Sequence, residues 1–172
     1  MKDGEFSKLN KQIYRVKVFM KKTKKFWEEK TLEEMTEEEW ESLCDRCGKC
    51  CLNKIHYEGN KHVIYTNVAC KLFDPKKCSC SDYANRKAQV KDCIKLTPAK
   101  VRTNADLPST CAYRLVHQKK PLYPWHHLVS GSPEDVLKQK DSIKEKVLSE
   151  RNIKDADLDR HVIDWVKPDS LK

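Results

Sequence analysis

Four cysteines occupy eight consecutive residues in the segment CDRCGKCC, which runs from Cys44 to Cys51. Thiolates are ligands of both zinc and iron–sulfur clusters, and each kind of centre typically takes four ligands. With five cysteines further along the chain, the candidate metal ligands are Cys44, Cys47, Cys50, Cys51, Cys70, Cys78, Cys80, Cys93 and Cys111. Two four-ligand centres would use eight of these nine thiols.

The spacing of the first four thiols limits how they can be shared. In one unbroken helix Cys44 and Cys51 would lie about 10 Å apart along the axis, at ~1.5 Å per residue. One zinc ion, with Zn–S bonds of about 2.3 Å, cannot bind both ends of such a helix. Either the chain leaves the helix at Gly48 and wraps around one centre, or the thiols serve different centres. We expect Cys44, Cys47 and one cysteine of the 50–51 pair at one centre, and the other cysteine of the pair at a second.

The spacing leaves the identity of the metal open. The C-x2-C-x2-C pattern matches the first three ligands of bacterial ferredoxins, which favours an iron–sulfur cluster. Zinc ribbons use two separated C-x2-C pairs, whereas the pairs in this chain overlap. The abundance of small structural zinc domains favours zinc instead, so zinc and iron or iron–sulfur remain the two candidate cofactors.

These ligands predict a metal-binding protein. An iron–sulfur centre that transfers electrons or supports a modification reaction is one alternative function. A zinc-stabilised module that binds a protein or a nucleic acid is another. The sequence contains no Ser-His-Asp set, glycine-rich phosphate loop or H-E-x-x-H motif, so it predicts no catalytic residue. His56 could add a nitrogen ligand, but a surface histidine is the better interpretation.

Disulfide bonds are the other use for so many cysteines, and the sequence argues against them. Nine is an odd number, which fits a complete disulfide set poorly. The first 25 residues contain no apolar stretch typical of a signal peptide, and no run of 18 apolar residues could cross a membrane. We therefore expect a cytoplasmic protein with reduced thiols and no membrane partner.

The net charge of +9 is concentrated at the amino terminus. Residues 1–25 hold nine Lys and Arg against two acidic residues, a net charge of +7, which leaves +2 for residues 26–172. We expect 1–25 to be a basic, disordered extension that binds nucleic acid weakly at most. Residues 26–166 are predicted to form a single cysteine-cluster domain, followed by a tail at 167–172. Leu, Ile, Val and Phe total 37 of 172 residues, a thin core that bound metal would reinforce.

The elements that would position the cysteines can be read from local patterns. Two capping boxes, Thr31 with Glu34 and Thr36 with Glu39, predict helix starts. The second helix is predicted to end at Gly48. One of its faces would carry four residues at helical spacing: Trp40, Leu43, Cys44 and Cys47.

Further along the chain the pattern changes to strands, turns and short helices. Residues 62–70 are β-branched and aromatic, which predicts a strand that leads into Cys70. Residues 74–80 form a proline-containing turn that presents two cysteines. Short helices are predicted over 81–90, at Cys111 and from Ser132 onward. The predicted fold class is α+β: a small, loop-rich domain organised around cysteine-ligated metal.

The series of motifs resembles a known family. The segment CDRCGKCC, then Cys70, CSCSDYANR and Cys93, resembles the CxxCxxCC family of zinc- or iron-chelating proteins. The segments YTNVACKL, DCIKLT, TCAYRL, PWHHLVSGS and VIDW are similar to its YcgN-type bacterial branch. The resemblance runs from about Phe26 to Trp165, and residues 1–25 have no counterpart. It implies metal chelation in a bacterial-type cytoplasmic protein and supplies no reaction. A more distant relative, a flagellin lysine methylase, shares only the cysteine motif.

One family element, C-x-C-x2-Y-x2-R, aligns with Cys78, Cys80, Tyr83 and Arg86. The resemblance leads us to expect that Arg86 orients thiolates or compensates their charge, and that Tyr83 packs. The chain departs from the family at two positions. Lys87 stands where the broader family often has proline. His127 stands where the branch usually has the proline of a Trp-His-Pro-Leu motif.

Overall fold

The computed structural model describes residues 25–59 and 63–168. The α-helices are short: α1 Phe26–Glu29, α2 Glu37–Ser42, α3 Arg86–Gln89, α4 Pro98–Thr103, α5 Ala112–His117 and α6 His127–Ser130. The strands are β1 Leu52–His56, β2 Val63–Ala69, β3 Phe73–Asp74, β4 Ser79–Cys80 and β5 Leu148–Ser149. Five 3-10 turns connect them: Leu32–Glu34, Lys49–Cys51, Asp135–Lys138, Glu150–Asn152 and Asp155–His161. The α+β, loop-rich class predicted from the sequence is confirmed.

Two small sheets bring distant cysteines together. Strand β2 lies between antiparallel β1 and parallel β5, and β3 pairs with antiparallel β4. In the first sheet Leu52 pairs with Ala69, which places Cys51 beside Cys70. The strand predicted for 62–70 is confirmed over 63–69; residue 62 lies outside the described residues.

Both predicted capping boxes are confirmed, at Thr31 and at Thr36. The predicted end of the helix is wrong: α2 ends at Ser42 rather than at Gly48, so Cys44 and Cys47 lie in a loop. A continued helix would bond the Leu43 carbonyl to the Cys47 amide. That carbonyl instead bonds His126 Nε2 at 3.1 Å, and the Cys47 amide donates to Asp45 Oδ1 at 3.0 Å. Because both partners of the helical bond are engaged elsewhere, the helix stops.

The remaining short helices follow the sequence predictions in part. Cys111 is the N-cap residue of α5, as expected. The helix predicted over 81–90 is reduced to α3, and Tyr83 lies in the turn before it. The element predicted from Ser132 is a 3-10 turn that begins at Asp135, and α6 precedes it at a place where no helix is predicted.

Two hydrophobic cores lie on either side of the cysteines. The first core is centred on Leu43, Leu107 and α5, and Cys44 and Cys111 pack against it. Trp40 packs there too. The second core is formed by Leu52, Tyr65, Ala69, Phe73, Cys78, Ile143 and Val166, and Cys51 packs against it. Four of the cysteines, Cys44, Cys51, Cys78 and Cys111, therefore pack in or against these cores.

The predicted extension at 1–25 and the tail at 167–172 lie mostly outside the described residues. At the carboxyl end, Pro168 forms a bridge with Pro108, and the Ser109 amide donates to the Lys167 carbonyl at 3.0 Å. No helix within 25–59 and 63–168 is long and apolar enough to cross a membrane.

Candidate metal centre

The cysteine loop, residues 44–51, turns sharply at two positions with left-handed backbone. Arg46 has φ of 58° and Gly48 has φ of 74°. A β-carbon at Gly48 would lie 2.5 Å from Cε2 and 2.6 Å from Cζ of Phe73, closer than packed carbon atoms approach. Glycine is therefore required both by the backbone angle and by the close aromatic ring. The turn folds the loop back, so that the 3-10 turn Lys49–Cys51 presents the last two thiols.

Asp45 lies inside this loop and is only 7% exposed. Its Oδ1 accepts the hydrogen bond from the Cys47 amide, whereas its Oδ2 is buried and has no hydrogen-bond partner among the described residues. A buried polar group without a partner costs on the order of 1–3 kcal/mol, and more when it is charged. The sequence analysis missed Asp45; the available signal was an acidic residue between two cysteines.

Five thiols lie within the electrostatic reach of Asp45, and we call them the Asp45 group: Cys44, Cys47, Cys50, Cys78 and Cys111. Burial raises the pKa of Cys78 to about 11 and that of Cys111 to about 12, and the charge of Asp45 adds to both shifts. The Cys78 Sγ also lies 3.5 Å from the Cys47 carbonyl oxygen. The Asp45 group thus joins the cysteine loop, the turn before β4 and the start of α5.

The other four thiols form a second set, which we call the Cys70 group: Cys51, Cys70, Cys80 and Cys93. The backbone holds three of them together. The Cys70 amide donates to the Cys51 carbonyl at 2.9 Å, the Phe73 amide donates to the Cys70 carbonyl at 2.8 Å, and Phe73 pairs with Cys80. Burial raises the pKa of Cys70, and the nearby Cys93 and Cys80 raise it further.

Cys50 and Cys51 connect the two groups. The Cys51 thiol donates a hydrogen bond to Cys50, which lowers the pKa of Cys50 to about 7 and raises the pKa of Cys51. Water reaches Cys50, which is exposed, yet desolvation still opposes its ionisation.

The donor set fits zinc or iron by its chemistry. All nine cysteines are free, so none is consumed by a disulfide. Thiolates with one carboxylate oxygen suit zinc and iron, and a cation would also satisfy the buried Oδ2 of Asp45. Within the described residues, no three His, Cys, Asp or Glu side chains stand in the geometry that holds one ion. Protonated thiols pack as small apolar groups, and their side chains would have to turn toward a metal ion to bind it.

Two lysines place positive charge beside the thiols. Lys49 is 2% exposed and forms an ion pair with Asp141. Burial raises the pKa of Cys47 and of Cys78, and the positive charge of Lys49 lowers both pKa values in part. Lys54 donates to the Cys50 carbonyl at 3.0 Å and favours the Cys50 thiolate. These charges offset part of the negative charge that a set of thiolates would carry around a divalent ion.

Arg86 and Tyr83 form a pair near Cys93. The Arg86 guanidinium lies 3.6 Å from the centre of the Tyr83 ring and donates to the Tyr83 carbonyl. Its charge lowers the pKa of Cys93, which burial raises; that Arg86 orients thiolates or compensates their charge stays a prediction. Tyr83 is 54% exposed, so it packs on Arg86 rather than in a core, and its hydroxyl donates to Glu41 at 3.2 Å.

Two histidines are engaged by the protein itself. His126 is 1% exposed; its Nε2 bonds the Leu43 carbonyl, and its Nδ1 accepts from the Leu128 amide at 3.2 Å. Since both ring nitrogens are used, His126 is a structural residue that holds the start of the cysteine loop. His56 lies at the surface, as expected, with Nε2 3.2 Å from Asp106.

Known proteins are similar to this chain in sequence. Residues 43–112 match the CxxCxxCC family, described as "Putative zinc- or iron-chelating domain". A UPF0260 protein of Rhodopseudomonas palustris is 48% identical over 81% of this chain and 83% of its own length. A UPF0260 protein of Pseudomonas putida is 52% identical over 80% of this chain and 92% of its own length. A UPF0260 protein of Mesorhizobium japonicum is 60% identical over 64% of this chain and 75% of its own length. No solved structure matches the chain. The cysteine loop and the similarity along most of the chain mean that this protein belongs to the UPF0260 family.

Proposed function

We propose that this protein binds zinc or iron through its cysteine thiolates at two adjacent centres. The observation that carries the proposal is that all nine cysteines are free, with Cys44 and Cys111 packed against one core and Cys51 and Cys78 in or against the other. The family description, a zinc- or iron-chelating domain, supports the same chemistry.

The two groups supply the ligands of the two centres. The Cys70 group contains four thiols, the number that an all-thiolate zinc or iron–sulfur centre takes. The Asp45 group contains five, of which Cys44 and Cys47 lie on either side of Asp45. This assignment divides the adjacent pair, with Cys50 at one centre and Cys51 at the other.

Bound metal would connect segments that the thin cores hold only weakly. Cys111 begins α5, Cys70 follows β2 and Cys80 ends β4, so the ligands tie helices, sheet and loops together. Zinc would supply a structural link of this kind, whereas iron would add one-electron chemistry. The net charge of +2 over residues 26–172 gives little support to nucleic-acid binding.

Replacing Cys47 by Ser tests the proposal. We expect the full chain, purified anaerobically, to lose bound metal and to melt at a lower temperature, because metal binding and folding are coupled. Thr103→Ser, at an exposed position of α4, is the control and should change neither quantity. Unchanged metal content and melting temperature in C47S would refute a metal centre at the cysteine loop.

A further inference from the structure

Asp45 is held in the cysteine loop by only one of its two carboxylate oxygens. Oδ1 accepts the Cys47 amide at 3.0 Å and so fixes the plane of the carboxylate against the loop. Oδ2 is buried and has no hydrogen-bond partner within the described residues. The side chain is more than nine-tenths buried, so bulk water does not compensate the unpartnered oxygen.

Asp45 stands between Cys44 and Cys47 in the chain, and thiols are poor hydrogen-bond donors. The charge of Asp45 acts on all five thiols of the Asp45 group. The nearest buried cationic side chain along the chain, Lys49, forms its ion pair with Asp141 instead. An unpartnered carboxylate oxygen among soft metal ligands is satisfied by a metal cation.

We propose that Asp45 supplies, through Oδ2, an oxygen ligand to the metal of the Asp45 group. The inference rests on the proposed function and narrows it, because it names the chemistry of one of the two centres. The ligand set is mixed, with thiolates and one carboxylate around a single zinc or ferrous ion. Zinc accepts Asp oxygen alongside Cys sulfur, whereas iron–sulfur clusters are held by thiolates.

The charge of such a centre agrees with its surroundings. Three thiolates and one carboxylate around a divalent ion give a net charge of −2, the same as a zinc ion with four thiolates. Lys49 and Lys54 both lie within electrostatic reach of these thiols. With three thiolates at this centre and four in the Cys70 group, the two centres use seven of the nine cysteines, and two thiols of the Asp45 group bind no metal.

The variant Asp45→Asn tests the proposed ligation through Oδ2 separately from the hydrogen bond that Asp45 accepts from the Cys47 amide. Its amide oxygen can still accept the Cys47 amide, but the second oxygen is replaced by a donor. The matched control is Asp74→Asn, because Asp74 also accepts backbone amides, at 2.9 and 3.1 Å, in a turn that leads to a cysteine. Apo protein of the full chain is titrated with zinc, and separately with iron(II), in competition with a chelator under anaerobic conditions.

We expect wild type to bind about two ions, and D45N to bind one of them about 10–100 times more weakly. D74N should bind both ions like wild type. X-ray absorption of the zinc-loaded wild type should require oxygen at about 2.0–2.2 Å beside sulfur at about 2.3 Å, with less oxygen in D45N. If both ions of the wild type are bound by sulfur alone, or if D45N binds both ions as tightly as wild type, Asp45 is not a ligand. The proposed function stands in either case. If wild type binds no metal, the proposed function itself fails.

Discussion

The amide of Cys70 donates a hydrogen bond to the carbonyl of Cys51 at 2.9 Å, which joins the end of the cysteine loop to the end of β2. The bond directs the last cysteine of the motif toward the Cys70 group. Cys50, one residue earlier, belongs to the Asp45 group instead. The two proposed centres would thus divide a continuous sequence motif at its last peptide bond.

This division predicts separable metal sites. Cys70→Ser should remove about one of the two ions and leave the ion of the Asp45 group, whereas C47S should do the reverse. The measurement is metal content per chain after anaerobic gel filtration of each single variant and of the double variant. The double variant should retain no metal. If both single variants deplete the same ion, so that the double variant matches each of them, one shared centre replaces two.

The acidity of the thiols predicts how metal affinity depends on pH. Burial raises the pKa of Cys78 to about 11 and of Cys111 to about 12, so both thiols are protonated near pH 7. Each such thiol must release its proton to bind metal, so affinity falls about tenfold per unit decrease in pH for each ligand. Chelator competition at several pH values between 6.5 and 8.5 measures the slope. A dependence weaker than tenfold per pH unit would contradict ligation by several protonated thiols.

Gly48 predicts a packing limit on the cysteine loop. Gly48→Ala adds left-handed strain of about 1–2 kcal/mol and a clash with Phe73 worth about 1–3 kcal/mol, so it should destabilise the protein by about 2–5 kcal/mol. Gly59→Ala is the matched control, because Gly59 has a φ of 77° but no atom within 4 Å of the added carbon. Urea denaturation should show a clearly larger loss for G48A. Equal losses would mean that Phe73 moves aside freely.

His126 predicts a loss of stability in mild acid. Desolvation and the neighbouring His127 lower the pKa of His126, whereas the Leu43 carbonyl and Asp45 raise it. The desolvation is the largest effect, so the pKa of His126 is lowered overall. The unfolded chain therefore takes up this proton more readily, so stability is full above about pH 6.5 and declines as the pH falls through the lowered folded pKa.

The variant His126→Phe removes both ring hydrogen bonds and should lose about 1–3 kcal/mol at pH 7.5. It should also show a smaller decline between pH 7.5 and 5.5 than wild type. His56→Gln, at an exposed position, is the control and should keep the wild-type decline. The midpoints of urea denaturation at pH 7.5 and 5.5 measure the loss of stability. If H126F loses as much stability as wild type between these pH values, groups other than His126 cause the decline.

Features fixed by neighbouring residues were predictable from the sequence. The capping boxes at Thr31 and Thr36, strand β2 and the start of α5 at Cys111 all depend on residues within one turn or one strand. The cysteines themselves could be identified from composition and spacing alone.

Features that depend on distant residues were not predictable. Helix α2 ends early because His126, 83 residues further on, takes the Leu43 carbonyl. The grouping of Cys51 with Cys70 depends on the pairing of β1 with β2, which spacing does not reveal. The importance of Asp45 follows from its burial and its unpartnered oxygen, and an acidic residue in a charged sequence gives no sign of either.

Metal and acid-labile sulfide analysis of the anaerobically purified full chain, with a visible spectrum, tests the central claim most directly. We predict two metal centres per chain, which means about two zinc atoms, or at least three iron atoms if one centre is an iron–sulfur cluster. A colourless protein with zinc and no sulfide would assign structural zinc to both centres. A brown protein that contains iron and acid-labile sulfide, and whose visible absorption bleaches on reduction, would assign an iron–sulfur cluster to the Cys70 group. That result would favour electron transfer. A protein with reduced thiols and neither metal would contradict the account.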